Sequence, residues 1–215
     1  MIHRLYLKYA VIHAFMLLAT LGAVAHAQSA GILQEPPASI QFSGRGYHLA
    51  WQSNPIPDYV KYEYLPEGQR LPRYQDMLLL ELLTNGLTVA EVVRKQLDFL
   101  RQREGSDPVF QHRILANERT GEFLLDFTLS AEDPENGKII EWNAYRYIPH
   151  RAADGKQGVL LYGYSRRSYG DEEGLAFLHD LKERTPRDIQ ALGSASIPVP
   201  GDGSRPSGST GSAER

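Results

Sequence analysis

Between residues 110 and 166, four strand-length segments follow one another through links too short to carry a crossover, and this constrains the fold more than any other feature. The segments are 110–116, 122–129, 139–148 and 159–166. The links contain Arg119-Thr120-Gly121, Asp133-Pro134-Glu135-Asn136-Gly137 and Ala153-Asp154-Gly155, each with turn-forming residues. Parallel neighbours need a connection of a dozen or more residues, so these segments are predicted to form an antiparallel meander. Upstream, 40–42 and 47–52 flank the turn Ser43-Gly44-Arg45-Gly46, and Asn54-Pro55-Ile56-Pro57 breaks the chain. Segment 59–65 sets Val60, Tyr62 and Tyr64 against Lys61 and Glu63, the alternation of a half-buried strand. The apolar run 76–83 (DMLLLELL), closed by Asn85-Gly86, reads as a buried strand.

Two helices separate and close these strands. Thr88-Val89-Ala90-Glu91 has the form of a capping box, in which the Thr hydroxyl and the Glu carboxylate each take a free backbone amide. Val89, Val92, Val93, Leu97 and Leu100 then recur at spacings of three and four, opposite Arg94, Lys95, Asp98 and Arg101. A helix is therefore predicted over 89–103, ending at Gly105-Ser106-Asp107-Pro108. A second helix starts at Asp171, with Asp171, Glu172 and Glu173 in its first turn and Lys182 and Arg184 in its last, matching the helix dipole. Its apolar face is Leu175, Leu178 and Leu181. Thr185-Pro186-Arg187-Asp188 reads as a fresh helix start carrying Ile189 and Leu192.

The expected fold class is α+β: an antiparallel sheet of six to seven strands flanked by two main helices. In this order of elements the chain resembles the PsbP/Mog1-type α/β/α sandwich over residues 40–192. That resemblance implies a non-enzymatic binding or assembly factor. It brings no site residues, because no motif accompanies it. No internal repeat is visible.

The ends are of different material. Arg4 and Lys8 precede an apolar run at 10–25, which closes in Ala25-His26-Ala27, the features of a cleaved secretory signal peptide. The run is shorter than the roughly 20 residues that span a bilayer, so no stable membrane anchor is expected after cleavage. Cleavage removes two bases, leaving 188 residues with 21 bases against 26 acids. A mildly acidic chain without a basic stripe argues against a nucleic-acid partner. Residues 28–39 read as a leader. Residues 193–215, dominated by Gly, Ser and Pro, read as a disordered tail. The chain has no cysteine, which excludes disulfides, zinc–cysteine sites and thiol catalysis.

No motif announces chemistry. His48, His112, His150 and His179, the histidines left after cleavage, have no metal-ligand spacing, and no metal or cofactor is expected. Residues 133–137 have acids and a turn glycine but lack the other ligands of a calcium loop. There is no nucleophile elbow and no phosphate-binding loop, and Gly44-Arg45-Gly46 is too short to cradle phosphate. The strongest constellation is aromatic. On 139–148, Glu141, Asn143, Tyr145 and Tyr147 alternate with Ile140, Trp142, Ala144 and Ile148, which places Trp142 in the core. On 159–166, Tyr162, Tyr164 and Arg166 share a face. Tyrosines beside charged and amide groups could bind a small polar ligand or a protein partner, and these seven residues are the candidate binding patch. The expected function is that of an exported, periplasmic or secreted, non-catalytic protein that binds an envelope protein or a small polar ligand. The alternatives are a small exported hydrolase, with a histidine among His48, His112 and His150 beside an acid or Ser, and an envelope assembly factor tethered by its tail.

Overall fold

The computed structural model describes residues 36–133, 137–152 and 154–198. The predicted signal peptide, most of the predicted leader, residues 134–136 of the 133–137 loop and residues 199–215 of the predicted tail lie outside these. Eight strands form one wholly antiparallel sheet. They are β1 (Ser39–Phe42), β2 (Arg45–Ile56), β3 (Tyr59–Pro66), β4 (Asp76–Leu83), β5 (Gln111–Asn117), β6 (Glu122–Asp133), β7 (Gly137–Arg151) and β8 (Gln157–Tyr169). Helix α1 (Val89–Arg101) follows β4, and α2 (Asp171–Ser194) follows β8. The spatial order is β1-β2-β3-β4-β8-β7-β6-β5. Two four-strand meanders, each followed by a helix, thus meet along β4 and β8, where Asp76 pairs with Arg166 and Leu83 with Val159. The unit repeats in topology although the sequence shows no repeat.

The expected six- to seven-stranded sandwich is corrected by this arrangement. The sheet has eight strands and dominates the molecule, and each helix covers only part of one face of it. Helix α1 packs on β6, β7 and β8, and α2 on β7 and β8, so both sit over the second meander. The first meander instead curls. Register shifts in β2 at Leu49/Trp51 and Ser53/Ile56 bend it, as bulges do. The curl carries Phe42 of β1, at the sheet's far edge, to ring-centroid distances of 6.2 Å from Tyr162 and 5.1 Å from Tyr164 on β8. A sheet that folds over itself covers part of its own face.

Other boundaries also move. The Asn54–Pro57 break does not end β2, which runs through Ile56. Helix α2 does not restart at Thr185, because Pro186 sits inside a continuous helix. Proline there removes one intrahelical hydrogen bond, yet the turns beyond it are held by burial of Leu192 and packing of Ile189. Gly193 and Ser194, expected in the tail, are the last residues of this helix, and Ala195 and Ile197 pack against the core. Arg146 anchors that segment through its Nη1, which donates to the carbonyls of Leu192 and Ala195.

The capping box forms as expected. The Thr88 hydroxyl accepts from the Glu91 amide at 3.2 Å, and the Glu91 carboxylate accepts from the Thr88 amide at 2.8 Å. Trp142 is 2% exposed and packs with Ile140, Ala144, Tyr162 and Phe177 on the α2 face. The opposite, α1 face holds Val92, Val93 and Leu100 against Leu79, Leu125, Phe127 and Leu161.

Candidate functional site

The seven residues of the predicted patch are all buried, and they divide between the two faces. Strand alternation puts Glu141, Asn143, Tyr145 and Tyr147 on the α1 face and Tyr162, Tyr164 and Arg166 on the α2 face. The register agrees, since Ala144 lies beside Tyr164 and Tyr145 beside Gly163. No single accessible surface unites them.

On the α1 face the polar members are sealed. Glu141, wholly buried, pairs with the Arg167 guanidinium through Nε and Nη2, and it also accepts from Tyr74 Oη at 3.3 Å and Asn143 Nδ2 at 2.9 Å. The Tyr145 hydroxyl donates to Asn143 Oδ1 at 3.3 Å. Gly163 makes room for this layer, because a Cβ there would meet the Tyr145 ring at 2.9 Å. Farther along, Lys61 lies 3.0 Å from Glu63 and 4.0 Å from Glu81, and the Tyr59 hydroxyl donates to Glu81 at 2.7 Å. Burial raises the Glu81 carboxyl above its ordinary range, against the opposing pull of Lys61 and the Tyr59 hydrogen bond. Every one of these charges has a partner, which is the condition for keeping it out of water.

The α2 face ends differently. Where the β1–β2 turn approaches α2, a cleft of ≈ 790 Å³ opens. Ser43 and Gly44 form that turn with positive φ of 50° and 77°, the geometry of a two-residue hairpin. It places Phe42 and Arg45 at the cleft wall. Arg166 lies among three carboxylates from two elements, β4 and α2. Its Nη2 donates to Asp180 at 3.2 Å, its Nε is 3.8 Å from Asp76, and its Nη1 is 3.7 Å from Asp188 Oδ2. The Phe177 ring lies 5.5 Å from its guanidinium carbon. Asp76 also accepts from Tyr164 Oη and Arg45 Nη1, each at 2.9 Å. Asp180 accepts from Arg184 at 3.3 Å.

Two of these contacts, Arg166 Nε to Asp76 and Nη1 to Asp188, are longer than a hydrogen bond, and the second leaves both of its atoms without one. At 3.7 Å, Arg166 Nη1 and Asp188 Oδ2 are too far apart for a hydrogen bond. Both atoms are buried, and neither has another hydrogen-bond partner. Burial, ahead of the lowering pull of Arg166 and Arg184, raises the Asp188 carboxyl above its usual range. Burial likewise pushes the nearby Tyr47 hydroxyl up to about 12.

Of the predicted patch, then, Tyr164 and Arg166 reach the cleft, while Tyr162 packs beneath it and the other four lie on the far face. Sequence reasoning missed Asp76, Asp180 and Asp188. Asp76 opens an apolar strand, and the other two lie on a helix face that reads as solvated, so no spacing links them to Arg166. Among the described residues, no side-chain hydrogen bond or ion pair is seen for His48, His112, His150 or His179, His112 stacks on Phe110, and no group of three or more His, Asp or Glu is placed to hold a metal ion. No described helix is long and apolar enough to cross a membrane.

Fold and site together define an antiparallel-sheet protein with a polar, aromatic-walled cleft between a curled hairpin and the C-terminal helix. The chain belongs to a protein family of unknown function, whose model matches residues 34–197. No curated protein matches it.

Proposed function

We propose that the chain is an exported, non-catalytic binding protein whose cleft takes a small polyhydroxylated ligand. The signal-like residues 1–27 support export. The observation that carries the ligand class is the open contact between Arg166 Nη1 and Asp188 Oδ2. A hydroxyl inserted there accepts from the guanidinium and donates to the carboxylate, satisfying both groups at once. Stranded buried polar groups cost about 1–3 kcal/mol each, so a ligand that completes them gains correspondingly.

Charge favours a neutral ligand over an anion. The cleft's arginines are already engaged: Arg45 with Asp76, Arg73 over the Tyr169 ring, Arg166 with Asp76, Asp180 and Asp188, Arg167 with Glu141, and Arg184 with Asp180. An anion has to displace these carboxylates, whereas a hydroxyl fits between them. The rings of Phe42, Tyr164 and Phe177 supply apolar surface for the C–H faces of a sugar-like molecule.

Calorimetric titration with neutral mono- and disaccharides, dicarboxylates and inorganic phosphate tests the reading. The expected result is saccharide binding that weakens about tenfold or more in Asp188→Leu, a change worth at least ~1.4 kcal/mol. Binding of phosphate or dicarboxylate in preference to every saccharide, or no saccharide binding at all, would overturn it.

A further inference from the structure

The sheet's two edges are built differently, and one is open. At the β1 side the edge is blunted: β1 has four residues, and β2 beyond it has two register shifts and Pro55. Short strands, bulges and proline are the usual devices that stop an edge from pairing with another chain. At the other side β5 has none of them. Its seven residues, Gln111–Asn117, contain no Pro, Gly, Lys or acid, and its register with β6 is unbroken from Gln111/Thr128 to Asn117/Glu122. All seven are exposed, and no described strand pairs with the outer side. Its one fixed charge, Arg113, is bonded to Asp126 at 2.9 Å. Ile114 and Leu115 are two of the three large apolar side chains exposed among the described residues.

We infer that β5 pairs antiparallel with β5 of a second copy, about a two-fold axis at Ile114. The strand is complementary to itself in that register. Ile114 meets its own counterpart, Arg113 lies opposite Leu115, His112 opposite Ala116, and Gln111 opposite Asn117. No like charges face each other, both exposed apolar residues are covered, and the terminal amides can hydrogen-bond across the pair. Centring the pair on Arg113 instead would set two guanidinium groups opposite one another, which is unfavourable. The self-match selects a second copy over an unrelated strand, and the dimer joins two sheets into one continuous sheet. It does not depend on the cleft, which lies at the junction of the β1–β2 turn and α2.

The absence of cysteine makes the register directly testable. Residues directly opposite in an antiparallel pair have Cα atoms ~4.5–5.5 Å apart, within disulfide range. Under mild oxidation the full chain carrying Ile114→Cys should cross-link to a covalent dimer. Gln111→Cys should not, because its counterpart lies six positions along, at ~20 Å. In sedimentation equilibrium the wild type should be dimeric and Ile114→Lys monomeric while still melting cooperatively, at a temperature independent of concentration, whereas Leu175→Lys on the exposed side of α2 stays dimeric. A wild type that is monomeric at ~100 μM, an Ile114→Lys variant that remains dimeric, or equal cross-linking at 111 and 114 would overturn the inference.

Discussion

Arg166 and Arg167 are neighbours in the chain and occupy opposite faces of one strand, and their surroundings differ as the two faces do. Arg167 points into the α1 face, where Glu141 takes its Nε and Nη2 and the surrounding polar groups complete a sealed network. Arg166 points into the α2 face, whose core is aromatic and aliphatic, and lies with its carboxylates at a cleft. Its three carboxylates come from β4 and from two turns of α2, and the contact with Asp188 leaves both atoms without a hydrogen bond. Both guanidinium groups are shielded, so burial alone does not separate them. The partnering of each guanidinium does: Arg167 is closed on Glu141, whereas Arg166 Nη1 has no hydrogen-bond partner and its side chain lines the cleft, although Tyr147 Oη and Ser165 Oγ are also unpartnered on the α1 face.

The largest test of that contrast removes one carboxylate from each arginine. Glu141→Ala strands Arg167 in a sealed layer and should cost about 3–5 kcal/mol, read as a loss of unfolding free energy in urea. The double change Glu141→Leu with Arg167→Leu should recover most of that, since replacing a buried pair by apolar residues is often neutral. On the α2 face the comparable loss comes from an apolar residue: Trp142→Ala should also cost about 3–5 kcal/mol. If Glu141→Ala proved harmless, the α1 network would not be structural.

A smaller effect concerns Glu81. Its folded carboxyl is raised above the ordinary range by burial. Such a group holds its proton in both states at low pH, and its contribution to stability is complete there. As pH rises from the ordinary carboxyl range through the raised folded value, the unfolded chain releases its proton more readily, and stability falls. Glu81→Gln should abolish that fall while its side-chain oxygen still accepts from Tyr59. Melting temperatures of wild type and variant should therefore lie close in acid, with the variant ahead as pH rises through that window. Parallel curves would place the Glu81 carboxyl at its ordinary range.

The smallest expected change is Asp180→Ala. Asp180 is 44% exposed and shared between Arg166 and Arg184, and Arg166 keeps Asp76 and Asp188 nearby, so the cost should be about 1 kcal/mol or less. A loss as large as that of Glu141→Ala would erase the distinction between the faces.

The sequence shows local structure well and enclosure poorly. The capping box at Thr88 and the apolar periodicity after it locate α1, and alternation assigns Trp142 to the correct side of β7. Alternation also separates Glu141, Asn143, Tyr145 and Tyr147 from the aliphatic residues between them. What it cannot show is that both sides of a central strand are covered, so a buried polar layer reads like an open one. Pro186 marks a helix start in sequence, yet Leu192 and Ile189 keep α2 continuous. The cleft was half legible: Tyr164 and Arg166 stand out on their strand, but Asp76 and Asp188 reach them only through the pairing of β4 with β8 and the return of α2. The curl that brings Phe42 over β8 comes from bulges in β2 that no local pattern announces.

The most direct measurement follows the two arginine side chains by nuclear magnetic resonance while a neutral disaccharide is titrated into the full chain. The account predicts that the Arg166 Nε–Hε signal shifts with saturation and the Arg167 signal stays in place. A saturating response at Arg167 equal to that at Arg166, or binding that leaves Arg166 unmoved, would contradict it.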